Sequence, residues 1–239
     1  MSSNETPRVY LQPTADGCDT LYSPRYGQTY HSTHGALTEA EHVFLQATEV
    51  GQRLAAGVAT QVLEVGFGTG LNFWLTMQRS LAGRAALRYV ALEKSLLPAG
   101  WLAELNHGHF LGPVEAARQD FLAWRAGLGE SVPEGSLDWA DGQGTRLTLL
   151  IGEATKTELP PEHYHAVYHD AFSPDANPEL WTPDFLARLY GRLLPGGKLA
   201  TYSAKGAVRR ALQAAGFQVE KQPGPPGKRE MLVAVRLGA

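Results

Sequence analysis

The run VLEVGFGTG at residues 62–70 constrains the fold more than any other part of this sequence. Its apolar half is typical of a buried strand, and its three alternating glycines allow the backbone to approach a ligand closely. The segment that follows, LNFWLTMQRSL, has apolar side chains at helical spacing. A strand, a glycine-rich turn and a helix in this order predict a cofactor site at the turn.

Strand and helix patterns alternate along most of the chain after this point. Helical spacing recurs in PAGWLAEL, in TPDFLARLYGRLL, which we expect to end at Pro195-Gly196-Gly197, and in AVRRALQAAG. Residues 107–144 look irregular up to a hairpin at Asp141-Gly142. The predicted strands are QVLEV, LRYVALE, RLTLLI, YHAVYHD, KLATYS, FQVEK and MLVAVRL. Such alternation predicts an α/β fold with a doubly wound, mostly parallel sheet, in which the last two strands could pair antiparallel.

The chain before residue 58 has a different pattern. Residues 8–23 predict a β-hairpin around TADG, and Thr38 with Glu41 predicts a capping box at the start of a helix. We therefore divide the chain into an N-terminal hairpin-and-helix extension, residues 1–57, and a main domain, residues 58–239.

Bulk composition is that of a soluble globular protein, with 44% hydrophobic and 19% charged residues. No apolar stretch approaches the roughly 20 residues that span a bilayer, so we expect no membrane partner. The first ten residues lack the pattern of a signal peptide. The single cysteine, Cys18, excludes an internal disulfide and favours a reducing compartment, which leads us to expect a cytoplasmic protein.

Positive charge is concentrated at the C-terminal end. From Lys198 onwards there are eight Lys or Arg residues against two Glu, a net charge of +6 in a chain whose total is −3. Such a face suits a phosphate-bearing partner, although a merely solvated charged face is an equal alternative. The candidate phosphate contacts are Lys205, Arg209, Arg210, Lys228 and Arg229.

The glycine pattern favours S-adenosylmethionine over a dinucleotide. A dinucleotide fingerprint that starts at Gly66 and Gly68 needs a small third residue where this chain has Leu71. S-adenosylmethionine instead needs backbone room, and acceptors for its ammonium group and ribose hydroxyls. The predicted cofactor-binding residues are Tyr30, Glu64, Gly66, Phe67, Gly68, Gly70, Asn72, Glu93, Glu153 and Asp170.

Three glutamates follow or interrupt predicted strands, and each has an expected role. Glu93 ends the second strand of the main domain, where it can accept two hydrogen bonds from the ribose. Glu64 lies inside an apolar strand and is expected to face the cationic end of the cofactor, because an unpaired buried carboxylate is costly. Glu153 can accept from the adenine amino group. Tyr30 can line the pocket, with core packing as the alternative.

Four motifs, taken in order, resemble one known family. They are GFGTGLNF, YHDAFSPDANPELW, LATYSAKGAVRRALQAAGF and KREML. Together with ALTEAEHVFL they make residues 26–235 similar to the methyltransferase half of the bifunctional tRNA 5-methylaminomethyl-2-thiouridine biosynthesis proteins. The family's D-[GA]-F-x-P segment corresponds to residues 170–174. Two departures concern YGQTY at residues 26–30, where the family often has an aspartate-rich segment, and Glu153, which replaces a more usual aspartate.

The resemblance implies a class I, Rossmann-like methyltransferase fold and S-adenosyl-L-methionine as the cofactor. It implies methyl transfer to the aminomethyl nitrogen of the tRNA wobble uridine, with the anticodon arm as the bound partner. No second glycine fingerprint for a flavin oxidase is present, so only the methylating step is implied, as in the stand-alone form of the enzyme. We therefore expect a separate oxidase or another enzyme to supply the aminomethyl substrate.

Asp170 and Phe172 are the predicted catalytic residues. Asp170 follows the fourth strand, where doubly wound sheets bind ligands, and we expect it to orient the amine and help its proton leave. Phe172 can stack on the uracil. The structural alternative is an Asp170 that caps a turn and a Phe172 in the core. His163, His165 and His169 beside Asp170 invite a metal site, which we reject because methyl transfer to an amine requires no metal.

Two other functions stay open on the sequence. One is a transferase that acts on a small amine, such as a polyamine, which shares the fold but needs no basic face. The other is a binding module that retains the cofactor pocket without catalysis. Salt-dependent binding to tRNA distinguishes the first alternative, and turnover distinguishes the second.

Overall fold

The computed structural model describes residues 9–238, and it begins with a small antiparallel sheet. The predicted hairpin is confirmed within these residues, with Thr14 and Gly17 joined by a backbone hydrogen bond at its turn. Residues 1–8 and residue 239 lie outside the described residues. Three expectations fall partly on residues 1–8: the hairpin, the N-terminal extension and the absence of a signal peptide. The three strands are β1 (Tyr10–Pro13), β2 (Asp19–Ser23) and β3 (Gln28–Thr29).

The main sheet has eight strands in the order β10-β11-β9-β8-β4-β5-β7-β6. Its five central strands are parallel, while β6, β10 and β11 extend the two edges antiparallel. The expected antiparallel pairing of the last two strands is therefore confirmed. The strands are β4 (Thr60–Val65), β5 (Leu87–Glu93), β6 (Gly135–Ala140), β7 (Thr145–Ile151), β8 (Tyr164–His169), β9 (Leu193–Thr201), β10 (Gln218–Pro223) and β11 (Glu230–Val235).

Helices cover both faces of this sheet, as a doubly wound fold requires. Along β4, Val62 belongs to the apolar core on one face, whereas Leu63 and Val65 belong to the core on the other. The helices are α1 (Ala36–Glu39), α2 (Val50–Ala55), α3 (Leu71–Gly83), α4 (Ala99–Glu104), α5 (Gly108–Leu111), α6 (Glu115–Gly127), α7 (Pro183–Tyr190) and α8 (Gly206–Ala214). The first runs on into a π-helical segment, Ala40–Gln46, and short 3₁₀ turns span Gly112–Val114 and Pro178–Trp181.

Several helices, α6 and α7 among them, differ from the sequence-based expectation. The supposedly irregular segment contains α6, whose buried stripe is formed by Arg118, Phe121, Leu122 and Arg125. Two of these four are arginines, so hydrophobic periodicity could not reveal the helix. In addition, α7 ends at Tyr190 rather than at Pro195, because the chain from Leu193 already pairs with β8.

The predicted capping box is also wrong. The side chain of Thr38 makes no cap hydrogen bond, because α1 begins two residues earlier. Asp16, in the turn of the hairpin, accepts from the backbone N–H of Thr38 at 2.9 Å and from its hydroxyl at 3.0 Å. The small sheet therefore caps the helix that follows it.

Within residues 9–238, no helix combines the length and the apolar character that a membrane crossing demands.

Candidate functional site

A cavity of about 700 Å³ opens at the carboxyl ends of β4, β5 and β8. Val65, Glu93 and Asp170 line it from the ends of these three strands. The chain leaves β4 for β5 on one side, while β8 lies on the other side. This is the topological switch point at which open α/β sheets bind ligands.

The glycine loop between β4 and α3 forms one side of the cavity. Gly66 and Gly68 line the cavity and have φ angles of +92° and +52°. A Cβ at Gly66 would lie 2.8 Å from the Asp170 carbonyl oxygen, and one at Gly68 would lie 2.9 Å from the Tyr30 ring. Side chains are thus excluded at both positions by conformation and by space. Gly70 directly precedes α3, and Phe67 is buried. Neither residue lines the cavity.

Glu93 links the glycine loop to the segment after β5. One carboxylate oxygen accepts from the Gly68 N–H at 3.0 Å, and the other accepts from the Ser95 N–H at 2.8 Å. Burial raises the pKa of Glu93, and these backbone hydrogen bonds oppose the rise. Glu93 lines the cavity, and a carboxylate accepts several hydrogen bonds, so the group can also accept from a ligand there.

A buried chain of polar side chains supports Asp170. The Asn72 amide on α3 donates to Asp170 Oδ2 and to Glu64 Oε1, both at 2.8 Å. Strand alternation turns Glu64 to the face covered by α3, so it lies behind Asn72 rather than in the cavity wall. The expected contact of Glu64 with the cationic end of the cofactor stays a prediction, and what the structure shows is its contact with Asn72. Neither Glu64 nor Asn72 lines the cavity.

The pKa of Asp170 is raised well above its usual value. Burial is the main cause, and the negative charge of Glu39 adds to it, while Asn72 and Lys228 act in the opposite direction. The backbone N–H of Asp170 donates to the Val65 carbonyl at 3.0 Å, which fixes the loop at the end of β8. This carboxyl group is therefore a stronger proton acceptor than an exposed aspartate.

Phe172 lies against the N-terminal segment. Its ring stacks on Tyr26 with centroids 4.2 Å apart, and the ring of Tyr30 meets it edge-on at 5.1 Å. The Gln28 amide donates to the Ser173 hydroxyl at 2.6 Å and accepts from the Ser173 N–H at 3.2 Å. The segment around β3 and the loop after β8 thus form one wall, and Tyr26 covers one face of the Phe172 ring.

The predicted adenine contact is paired with a lysine. Glu153 Oε2 lies 2.6 Å from Lys94 Nζ, and both residues line the cavity. This hydrogen bond is the main cause of a raised pKa at Lys94. Glu153 therefore keeps one oxygen for a ligand.

The structure separates the five predicted phosphate contacts into two groups. Arg209 and Arg210 are exposed on α8, Arg229 is exposed before β11, and Lys205 precedes α8 with its Nζ 2.5 Å from Asp175. The positive charges of Arg229 and Arg209 both act on Glu230, whose pKa is lowered mainly by Lys221. Helix α8 and the β10–β11 hairpin therefore share one basic surface.

Lys228, in contrast, points into the cavity. Its ammonium pairs with Glu39 and lies 4.0 Å from the centroid of the Tyr202 ring. Neither Glu39 nor Tyr202 was predicted as a site residue, yet both line the cavity. Glu39 lies four residues before the apolar Val43, on the same helical face, which was the one sequence signal that could have revealed its burial.

Comparison with known proteins relates this chain to methyltransferases that use S-adenosyl-L-methionine. Residues 131–237 match a family model described as S-adenosyl-L-methionine-dependent methyltransferase. The bifunctional tRNA 5-methylaminomethyl-2-thiouridine biosynthesis protein MnmC of Cupriavidus metallidurans is 39% identical over 233 residues, which cover 93% of this chain and 33% of the relative. The protein of the same name from Cupriavidus necator is 38% identical, covering 89% of this chain and 32% of that relative. This chain is related to the methyltransferase half of these bifunctional proteins.

A solved structure supports the relationship over the whole described fold. MNMC2 from Aquifex aeolicus has a TM-score of 0.78 and 28% identity, covering 99% of this chain and 72% of that one. The expected class I methyltransferase fold is confirmed, as is the family's cofactor, S-adenosyl-L-methionine. The chain spans about a third of the length of the curated relatives.

The residues of the methyltransferase cavity fit S-adenosyl-L-methionine. Its volume of about 700 Å³ is within the usual range for small-molecule sites. Gly66 and Gly68 present backbone without side chains at the wall of this cavity. Glu93, Glu153 and Asp170 supply acceptors for a cofactor whose hydroxyl, amino and ammonium groups are hydrogen-bond donors.

Proposed function

We propose that this protein methylates the aminomethyl nitrogen of 5-aminomethyl-2-thiouridine at the wobble position of tRNA. The observation that carries the proposal is the partly buried carboxyl of Asp170, held by Asn72 in a cavity that is also lined by the glycine loop. The similarity to relatives named for 5-methylaminomethyl-2-thiouridine biosynthesis supplies the acceptor.

The residues proposed to hold the cofactor fall along one side of the cavity. Glu93 accepts from the ribose hydroxyls, Glu153 accepts from the adenine amino group, and Gly66 and Gly68 allow the close approach. Tyr30, packed over Gly68, closes this side. When bound, S-adenosyl-L-methionine supplies a methyl group on a positively charged sulfur. The remaining predicted residues, Phe67, Gly70, Asn72 and Glu64, act from behind the wall by fixing the loop and Asp170.

Asp170 prepares the acceptor nitrogen for attack. An alkyl amine reaches the site mainly as an ammonium ion, whereas only the neutral amine has the lone pair needed to form a bond to carbon. Asp170 accepts a hydrogen bond from the nitrogen and takes its proton, which its raised pKa favours. Asn72 holds Oδ2, so the carboxyl group keeps one orientation. After turnover Asp170 releases this proton to solvent, which restores its carboxylate for the next acceptor.

Phe172 is proposed to contact the uracil ring of the acceptor. Since Tyr26 covers one face of Phe172, the base must use the opposite face or take the place of Tyr26. Aromatic stacking on a splayed-out base is common in RNA recognition.

The basic surface formed by α8 and the β10–β11 hairpin is proposed to bind the anticodon arm. Arg209, Arg210, Lys205 and Arg229 would contact phosphates without reading sequence.

We further propose that the protein acts in the cytoplasm, and that another enzyme activity supplies the aminomethyl group. The division into an extension up to residue 57 and a main domain from residue 58 is likewise a proposal, supported by the separate small sheet.

The test is mass spectrometry of nucleosides from tRNA after incubation with the protein and methyl-labelled cofactor. The substrate tRNA carries 5-aminomethyl-2-thiouridine, and the control is the same tRNA without the aminomethyl group. The proposal predicts label in 5-methylaminomethyl-2-thiouridine and none in the control. Label only in added polyamines would establish the small-amine transferase instead, and cofactor binding without any transfer would establish a binding module.

A further inference from the structure

Lys228 is the feature of the cavity that the proposed mechanism leaves unused. It lies in the loop between β10 and β11, where the neighbouring Arg229 is exposed. Its side chain instead turns inward, and its ammonium contacts Glu39 and the face of Tyr202. A positively charged side chain therefore occupies a position in the wall of a cavity that has to receive a positively charged acceptor.

The two groups around this ammonium are held rigidly. Glu39 is only 6% exposed, and its Oε2 accepts from the Ser32 N–H at 2.8 Å. The Tyr202 hydroxyl donates to the Ala171 carbonyl at 2.9 Å, which fixes the ring. A carboxylate beside an aromatic face is the combination that proteins use to bind ammonium groups, because the ring quadrupole attracts the cation.

This arrangement lies next to the proposed base. The charges of Glu39 and Lys228 shift the pKa of Asp170 in opposite directions, and all three residues line the same cavity. The carbonyl oxygen held by Tyr202 belongs to the residue that directly follows Asp170. A cation bound at Glu39 and Tyr202 is thus beside the group that would remove its proton.

A second lysine of the same hairpin shows what an ordinary ion pair looks like here. Lys221 Nζ lies 2.6 Å from Glu230 Oε2, and their side chains are 44% and 39% exposed. Neither residue lines the cavity. Glu39, by contrast, is almost inaccessible to solvent, so its pairing with Lys228 is a property of the cavity rather than of the surface.

We propose that Glu39 and the face of Tyr202 form the subsite for the ammonium group of the methyl acceptor, and that Lys228 fills this subsite until the acceptor displaces it. This inference rests on the proposed function only in requiring an amine as the acceptor. The subsite recognises the charged form of the amine, and Asp170 then receives the proton. Lys228 thereby keeps the Glu39 carboxylate paired in the absence of substrate.

The experiment uses benzylammonium chloride, an aminomethyl group on a flat ring, as the probe and calorimetry as the readout. Lys228→Met removes the internal competitor, so we expect it to bind benzylammonium at least about tenfold more tightly than the wild-type protein. Lys221→Met is the matched control and should bind like the wild type. Adding Glu39→Gln to Lys228→Met should abolish the gain, and uncharged benzyl alcohol should show no gain in any variant.

Equal affinity of Lys228→Met and the wild type, or a gain that persists with Glu39→Gln, would overturn the proposal. If Lys228→Met does not fold, the wild-type protein with ¹³C-labelled lysine side chains provides the test by NMR, with Lys228→Arg for assignment. Benzylammonium should then shift the Lys228 resonance and not that of Lys221, and no shift at the highest soluble concentration would refute displacement. These measurements involve neither tRNA nor methyl transfer, so their outcome is independent of the nucleoside assay.

Discussion

Three buried histidines make the free energy of unfolding depend on pH. Burial lowers the pKa of His31 to about 4, that of His107 to about 3 and that of His169 to about 4. Unfolded histidine titrates near 6.5. Below about pH 6.5 the unfolded chain takes up protons that the folded protein excludes, so this stability is complete above 6.5 and is lost as the pH falls toward 4. When the pH falls from 7.5 to 5.0, each histidine should lower the free energy of unfolding by about 2 kcal/mol.

The substitution His107→Gln isolates one of these contributions. A glutamine amide can donate to the Asp19 carbonyl, which the ring Nε2 contacts at 3.0 Å, but it does not titrate. We expect the variant to lose about 2 kcal/mol less free energy of unfolding than the wild type between pH 7.5 and 5.0. Urea denaturation followed by circular dichroism measures this difference. Between pH 7.5 and 5.0, the urea midpoint of the variant should fall by roughly 1 M less than that of the wild type.

Other titrating groups do not obscure the contribution of His107. Buried carboxyl groups with a raised pKa, such as Asp170 and Glu64, favour the folded state as the pH falls, but they act equally in both proteins and cancel in the comparison. The exposed His163 provides a control, since His163→Gln should follow the wild-type profile. Identical pH profiles for His107→Gln and the wild type would refute the assignment of a neutral, buried His107.

Three further predictions concern the site. Asp170→Asn keeps an acceptor for Asn72 but removes the proton acceptor, so turnover should fall by roughly 10²–10⁴ and recover in part as the pH rises; normal turnover at neutral pH would make Asp170 structural. Glu93→Ala should weaken cofactor binding by about 1.5–3 kcal/mol in calorimetry, and an unchanged Kd would remove Glu93 from the site. Charge reversal at Arg209 and Arg210 should raise the KM for tRNA and flatten its salt dependence without changing cofactor affinity, whereas an unaltered salt slope would place the phosphate contacts elsewhere.

The central part of the fold could be predicted from the sequence because it is built from local patterns. The strand, glycine loop and helix at residues 60–83 follow directly from periodicity and from glycine chemistry. Glu93 and Asp170 could be placed at the cavity because parallel strands present their carboxyl ends at one edge of the sheet. Helix α6 escaped prediction since Arg118 and Arg125 occupy its buried face, where their guanidinium groups bind backbone carbonyls of residues 96–105 and 129–130.

Long-range contacts in the site could not be read from any local pattern. Nothing near Lys228 in sequence indicates that it pairs with Glu39, 189 positions away. The stacking of Tyr26 on Phe172 likewise joins two segments that are distant in the chain. Glu64 is a different case, because strand alternation already placed it on the face of Val62, away from the cavity.

The pairing of Glu39 with Lys228 has a consequence for the order of events during synthesis on the ribosome. When the chain as far as Ser173 has emerged, Gln28 can already reach Ser173, but the cavity still lacks Lys228, which the β10–β11 hairpin contributes. Contacts of such high sequence separation form late, because the intervening chain must first be closed into a loop. A nascent chain therefore presents Glu39 without its internal cation, and the pair forms only after the β10–β11 hairpin has joined the sheet.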